Sequence, residues 1–277
     1  MLEQQLINAL SLGSVYALFA LGFTLVFGVL GVINLSHGAI FMLGSYAALL
    51  LVEHLALPLW LAMLAAMLAS GLLGLAVDYL VLRPLRARNA PHLAQGLFGA
   101  ENKRFPVGTI PEQSYNWGSL HITAVQIGIV VISFVLMLVL LAVMRRTQLG
   151  RALRAIAESP KAAYLLGINV EGLFYLTSFA AAALGGAAGV LVGLSFNAIT
   201  PFMGQPMLHK GIAVIILGGM GDIRGAMIAG LFLGFAEVLT VAYISSDFRD
   251  AVGFGLLFLI LLVKPSGMFG KVLERKA

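Results

Sequence analysis

Reactive side chains are sparse in this sequence, and the few inside apolar stretches are the informative ones. Glu237 lies near the middle of the apolar run 225–244. An acidic residue near the bilayer centre costs on the order of 2.5–3.5 kcal/mol on insertion scales. It must therefore face the interior of a helix bundle, paired or protonated. Its partner is expected on the other polar-bearing span, with Asn34 or His37 as candidates. Those two stand with Ser36 in "GVINLSHG", residues 31–38, between glycines that permit unwound or tightly packed backbone. Asn34, His37 and Glu237 are the candidates for lining a translocation path. A plain turn at the membrane surface is the competing reading of 31–38. For Glu237, helix packing competes with function.

The remaining chemistry is excluded more than suggested. The histidines, His37, His54, His92, His121 and His209, show no metal-ligand spacing. No GxxxxGK[ST] loop is present, so the chain is not expected to hydrolyse nucleotide. There is no cysteine, which removes thiol catalysis, thiolate metal sites and disulfides. No catalytic residue, metal or cofactor is expected, and the chain reads as a non-enzyme.

The elements that must position these groups are set by composition. Of the 277 residues, 60% are apolar and 10% charged, and the mean hydropathy is +1.00. Soluble domains are nearer 45–50% apolar and about 25% charged. The fold class is thus all-α, a polytopic helical membrane protein forming one domain over 1–277. About 20 apolar residues cross a bilayer. Runs that qualify are 6–30, 38–57, 59–82, 121–144, 172–196, 225–244 and 250–264. Residues 207–221 are marginal and could be a span, half a helix or a re-entrant segment. The total is about seven to eight spans. The first run lacks the basic leader of a signal peptide and is expected to stay as a span.

Small residues indicate how the helices meet. Gly185, Gly189 and Gly193 recur at every fourth position, with Ala181 one turn before, so one bare stripe lets another backbone come close. Further along, "GGMGD" reads as a tight turn, with Asp222 capping the next helix.

Charge sets orientation. Three basic clusters are expected on the cytoplasmic side: Arg83, Arg86 and Arg88; Arg145, Arg146, Arg151, Arg154 and Lys161; and Lys264, Lys271, Arg275 and Lys276. No stripe of basic residues suggests nucleic acid as a partner; membrane lipid is the expected surroundings. The count of crossings fails in one place. Between Arg88 and Arg145 only one clear span occurs, and one crossing cannot join inside to inside. The second basic cluster opens a charged island, 145–171, in an otherwise apolar chain. Leu153, Ile156 and Ala157 share one side before Pro160, Leu165 and Ile168 form a second apolar edge, and Gly167 is placed to end the short helix. A partly apolar helix beneath a membrane domain suits docking of a soluble partner; a helix resting on lipid is the alternative.

Three blocks carry a resemblance: "LGSVYALFALGFTLVFGVLGVINLSHGAIFMLGSY", "LGRALRAIAESPKAAYLLGIN" and "AVIILGGMGDIRGAMIAGLFLGFAEVL". Together they resemble the permease subunits of branched-chain amino-acid ABC importers, of the LivH type. The resemblance implies a bacterial inner-membrane protein that pairs with a second permease, two cytoplasmic ATPases and a substrate-binding protein. It implies alternating access for leucine, isoleucine and valine. It also makes 145–171 the cytoplasmic coupling loop, with Ala157, Glu158 and Gly167 matching the coupling motif. The family generally has one more hydrophobic segment between about residues 93 and 94, where the crossing count fails. A permease for urea or short amides, and a non-transporting membrane subunit lacking one span, are the rival expectations.

Overall fold

The computed structural model describes residues 2–77, 102–106, 108–111, 113–117 and 120–270. The junction at 93–94 and the residues Asp78, Arg83, Arg86, Arg88, His92, Lys271, Arg275 and Lys276 lie outside them. Among the described residues the fold is helical apart from one two-stranded hairpin. In chain order it comprises α1 (Leu2–Leu30), α2 (His37–Leu55), α3 (Leu59–Val77), β1 (Ser114–Trp117), β2 (Leu120–Thr123), α4 (Ala124–Arg146), α5 (Gln148–Glu158) and α6 (Pro160–Leu165). After these come α7 (Val170–Phe196), α8 (Gly204–Gly218), α9 (Ile223–Tyr243) and α10 (Arg249–Val263).

Helices are what an apolar chain must form in lipid, since every backbone group then bonds within its own segment. Their starts are locally encoded. Thr123 and Gln126 form a reciprocal capping box at α4. Asn169 caps α7, and Asp222 caps α9 by accepting from the Gly225 amide at 2.7 Å. Ser159 caps α6, with Pro160 in its first turn.

Among the described residues six helices, α1, α2, α3, α4, α7 and α9, are long and apolar enough to cross a membrane. That corrects the expected seven to eight. The shortfall comes from α8 and α10, each of 15 residues. At 1.5 Å per residue each reaches about 22 Å, short of a hydrocarbon core of about 30 Å. The 207–221 run is thus a short helix shifted to 204–218.

α1 is the central helix, buried along most of its length and packed against α9, α7, α4 and α8. Two stretches of glycine set its distance from α9. A Cβ at Gly234 would overlap the Gly13 backbone, and one at Gly230 the Ala17 backbone. On α7, a Cβ at Gly189 would strike the Phe41 carbonyl of α2. At Gly185 it would meet the His37 ring at 2.7 Å, and at Gly193 it would approach Ile199 at 3.2 Å. The stripe 185–189–193 therefore lies in close helix contact rather than facing a cavity.

The two ends of the bundle are distinct. At one, Gln4 of α1 exchanges two 2.9 Å hydrogen bonds with the His121 backbone of the hairpin. α4 leads from that hairpin to Arg145 and Arg146, and so to α5 and α6, at the opposite end. There too Gly28 approaches the Gly221 turn, and the segment after α10 bonds to it, Met268 N to Leu217 O at 2.8 Å and Phe269 N to Gly218 O at 3.0 Å. α3 runs antiparallel to α7, Ser70 against Gly186 and Gly74 against Ala182, so α3 finishes at the island end. Lys103, by contrast, pairs with Ile199, just beyond α7 at the hairpin end. Val77 and Lys103 thus stand toward opposite ends of the bundle.

The basic island predicts that its end faces the cytoplasm. With no natural cysteine, an impermeant thiol reagent applied from outside should label Ser114→Cys, at the start of the hairpin, in intact cells. Ala162→Cys should react only after permeabilisation. Labelling in the reverse order would invert the orientation.

Candidate functional site

Glu237 is 1% exposed and sits inside the bundle, as its position demands. Its partners are not Asn34 or His37. The Tyr16 hydroxyl donates to its Oε2 at 2.8 Å, Arg249 Nε donates to the same oxygen at 2.8 Å, and the Lys210 ammonium donates to Oε1. Arg249 Nη2 also donates to the Tyr16 oxygen at 3.1 Å, and Lys210 to Asp250 Oδ1 at 3.1 Å. The ammonium further lies 5.3 Å from the Tyr16 ring centroid, within range of the π face. Four helices, α1, α8, α9 and α10, thus converge on one carboxylate.

The expectation of Asn34 or His37 failed for a local reason. Asn34 turns back on its own loop, where Oδ1 accepts from the Ser36 amide at 3.0 Å and from the Ser36 hydroxyl. His37, 1% exposed, is held among aromatic rings, 4.8 Å from Phe19 and 5.3 Å from Phe23. Gly22 and Gly185 make room for its ring. Neither residue lines the cavities described next.

The network separates two cavities that share Pro206, Lys210 and Asp250. The first, about 230 Å³, is bounded by Gln205, His209, Leu233, Glu237 and Phe254 among others. The second, about 240 Å³, reaches Tyr16, Phe41, Phe196, Met207 and Arg249. By helical rise Glu237 is about 21 Å from the α9 start and about 9 Å from its end. The network therefore lies in the half of the bundle nearer the hairpin, where α8 and α10 begin. Exposure rises outward through it, from 14% for the Lys210 side chain to 33% for Arg249 and 71% for Asp250.

Cations hold both carboxylates. What the arrangement offers is fixed charge of both signs beside apolar walls. The signal missed in the sequence was the charge flanking the two short runs: Lys210 in "MLHKGIAVII", and Arg249 and Asp250 in "SDFRD". Charges within or bordering spans are functional candidates by default.

At the island, α5 buries Leu153 and Ile156, but Ala157 is exposed together with Glu158. The expectation that Ala157 joins the apolar side is corrected. At the second apolar edge, Ile168 is half-buried, while Leu165 is 83% and Leu166 79% exposed, beside Tyr164 at 72%. Gly167 has φ +80°, with nothing within 4 Å of an added Cβ. Its requirement is conformational rather than spatial.

The sequence matches the family model for the permease component of branched-chain amino acid transport systems over residues 5–261. It is 37% identical to the high-affinity branched-chain amino acid permease LivH of Salmonella typhimurium, covering 97% of this chain and 95% of that one. It is 35% identical to BraD of Pseudomonas aeruginosa, covering 97% and 95%. The alignment with LivH runs over 298 positions. About thirty of them have no residue in this 277-residue chain, more than the roughly 20 of one membrane span. In fold the chain resembles PsaBC of Streptococcus pneumoniae, with a TM-score of 0.56 at 10% identity, covering 97% of this chain and 93% of that one.

A bundle of long apolar helices around a buried charge network is the make-up of a polytopic membrane protein. The chain belongs to the family of branched-chain amino acid transport permeases, LivH-type, and is a multi-pass inner-membrane protein.

Proposed function

We propose that the protein is the membrane subunit of an ATP-driven importer of leucine, isoleucine and valine, working by alternating access. It pairs with a second permease, two cytoplasmic ATPases and a substrate-binding protein. Residues 145–171 form the cytoplasmic coupling loop, with Ala157, Glu158 and Gly167 in the contact with an ATPase. Glu237 stands on the translocation path with Lys210 and Arg249; Asn34 shapes the loop leading into α2, and His37 seats that helix.

The observation that carries the coupling assignment is the solvent-facing edge Tyr164–Leu165–Leu166. It closes a short capped helix, at the end of the bundle opposite the charge network. Three consecutive large apolar side chains this exposed, with the exposed Glu158 and Lys161 shortly before them in sequence, suit a groove in a partner. The left-handed turn at Gly167 then returns the chain to α7.

Leu165→Asp combined with Leu166→Asp should reduce co-purification of the ATPase at least tenfold. The permease should still insert and keep its thermal midpoint, because neither side chain is packed. ATPase recovered at the wild-type level would refute docking at this edge. Uptake of labelled leucine by the complete importer tests the transport reading itself; an assembled, ATP-hydrolysing complex that moves none of the three amino acids would overturn it.

A further inference from the structure

We infer that the cavity of about 240 Å³ beside Arg249 and Asp250 is a binding chamber for a zwitterionic amino acid with an aliphatic side chain. The inference rests on the importer reading and assigns residues to one station of the path.

The chamber has two kinds of lining. Phe41, Val192, Phe196, Met203 and Met207 supply an apolar surface drawn from α2, α7, α8 and the connection between α7 and α8. Tyr16, Lys210, Arg249 and Asp250 supply charge and a hydroxyl. Such a mixture, mostly apolar with a few convergent polar groups, is the usual make-up of a small-molecule site.

The polar groups have capacity to spare. Arg249 commits Nε to Glu237 and Nη2 to Tyr16. Its Nη1 hydrogens have no partner among the described residues and can donate to a carboxylate. Asp250 commits Oδ1 to Lys210, and its side chain is 71% exposed. Oδ2 can accept from an ammonium group. The two residues are adjacent in sequence at the start of α10. This suits a ligand whose opposite charges are carried on one carbon.

Charge balance narrows the ligand class. Lys210 and Arg249 are already matched by Glu237 and Asp250. A free anion or cation would add an uncompensated charge at membrane depth, which is costly. A zwitterion adds none. Its aliphatic part then meets the methionine and phenylalanine side of the chamber, which gains by covering apolar area.

The test is titration of the purified permease in lipid nanodiscs with leucine, valine, 4-methylpentanoate and 3-methylbutylamine. The last two keep the leucine skeleton but lack the ammonium or the carboxylate. Leucine should bind at least tenfold more tightly than either. Asp250→Asn should weaken leucine about tenfold. Val192→Phe, which narrows the apolar part, should weaken leucine more than valine. Thermal midpoints report folding, and Met203→Ala provides a second wall variant at a site outside the helices. Absence of leucine binding by the wild-type permease would overturn the chamber. So would analogues binding as well as leucine, or leucine binding within twofold of wild type in every folded variant. Leucine uptake by the complete importer that persists despite any of these results leaves the transport function standing without the chamber. Failure of uptake with chamber binding intact does the reverse.

Discussion

Replacing Glu237 with leucine should lower the stability of the detergent-solubilised protein by about 3–5 kcal/mol, the cost of removing one partner from a buried ion pair. The size follows from what is left behind. Lys210 and Arg249 both donate to this carboxylate, and the Lys210 side chain is only 14% exposed. Without Glu237, Lys210 keeps the largely exposed Asp250 and the Tyr16 ring face, while Arg249 keeps the Tyr16 hydroxyl. Glu237→Gln should fall between wild type and Leu. The amide oxygen still accepts a hydrogen bond, but the negative charge is gone while two cations remain. Lys210→Met added to Glu237→Leu should recover part of the loss, since an apolar pair avoids the orphaned ammonium. Thermal unfolding of the three variants orders these outcomes. A Leu variant as stable as wild type would mean the four helices do not converge on this side chain.

Gly189→Leu should prevent correct assembly of α2 against α7. The first atom of any side chain there would coincide with the Phe41 carbonyl, so the obstacle is backbone rather than a rotatable group. Overpacking of this kind typically costs about 1–3 kcal/mol and sometimes more. In a membrane the helices have no hydrophobic drive to compensate, because packing itself holds them together. Gly189→Ala should already be destabilising, with Leu worse. Gly128→Leu on α4 is the matched control. Nothing lies within 4 Å of a Cβ there, and it should behave as wild type. Size-exclusion monodispersity and the thermal midpoint read the difference. Equal behaviour of the Gly189 and Gly128 variants would refute the close approach of the two helices.

The two experiments probe different layers of the same bundle. Gly189 lies where α7 meets α2, and α2 also supplies Phe41 to the proposed chamber. Spreading those helices would therefore widen the chamber as well as weaken the fold. Glu237 instead ties α9 to α1, α8 and α10 at the hairpin-end half.

The sequence by itself determined the class of fold, the long helices and the residues that must be buried. An apolar run of membrane length has no low-energy state in lipid other than a helix, and a carboxylate in its middle has no tolerable place except the interior. Glu237, the glycine stripe, the Asp222 cap and the left-handed turn at Gly167 were legible for that reason. Each follows from a local chemical demand. Only the tertiary structure decided which groups meet. Tyr16 and Glu237 are separated by 221 positions, and no periodicity reports that α1 and α9 lie antiparallel at glycine distance. Asn34 and His37 were reasonable partners by polarity, yet one satisfies itself within its own turn and the other is walled in by Phe19 and Phe23. The lengths of α8 and α10 were also hidden. Hydropathy sums apolar residues without regard to where neighbouring helices end the segment. The position of Lys103, paired beyond the far end of α7, depends on a backbone contact that carries no side-chain signature. Hydrophobic transfer is a property of each residue, whereas pairing in a bundle is a property of which surfaces remain after every other helix has packed.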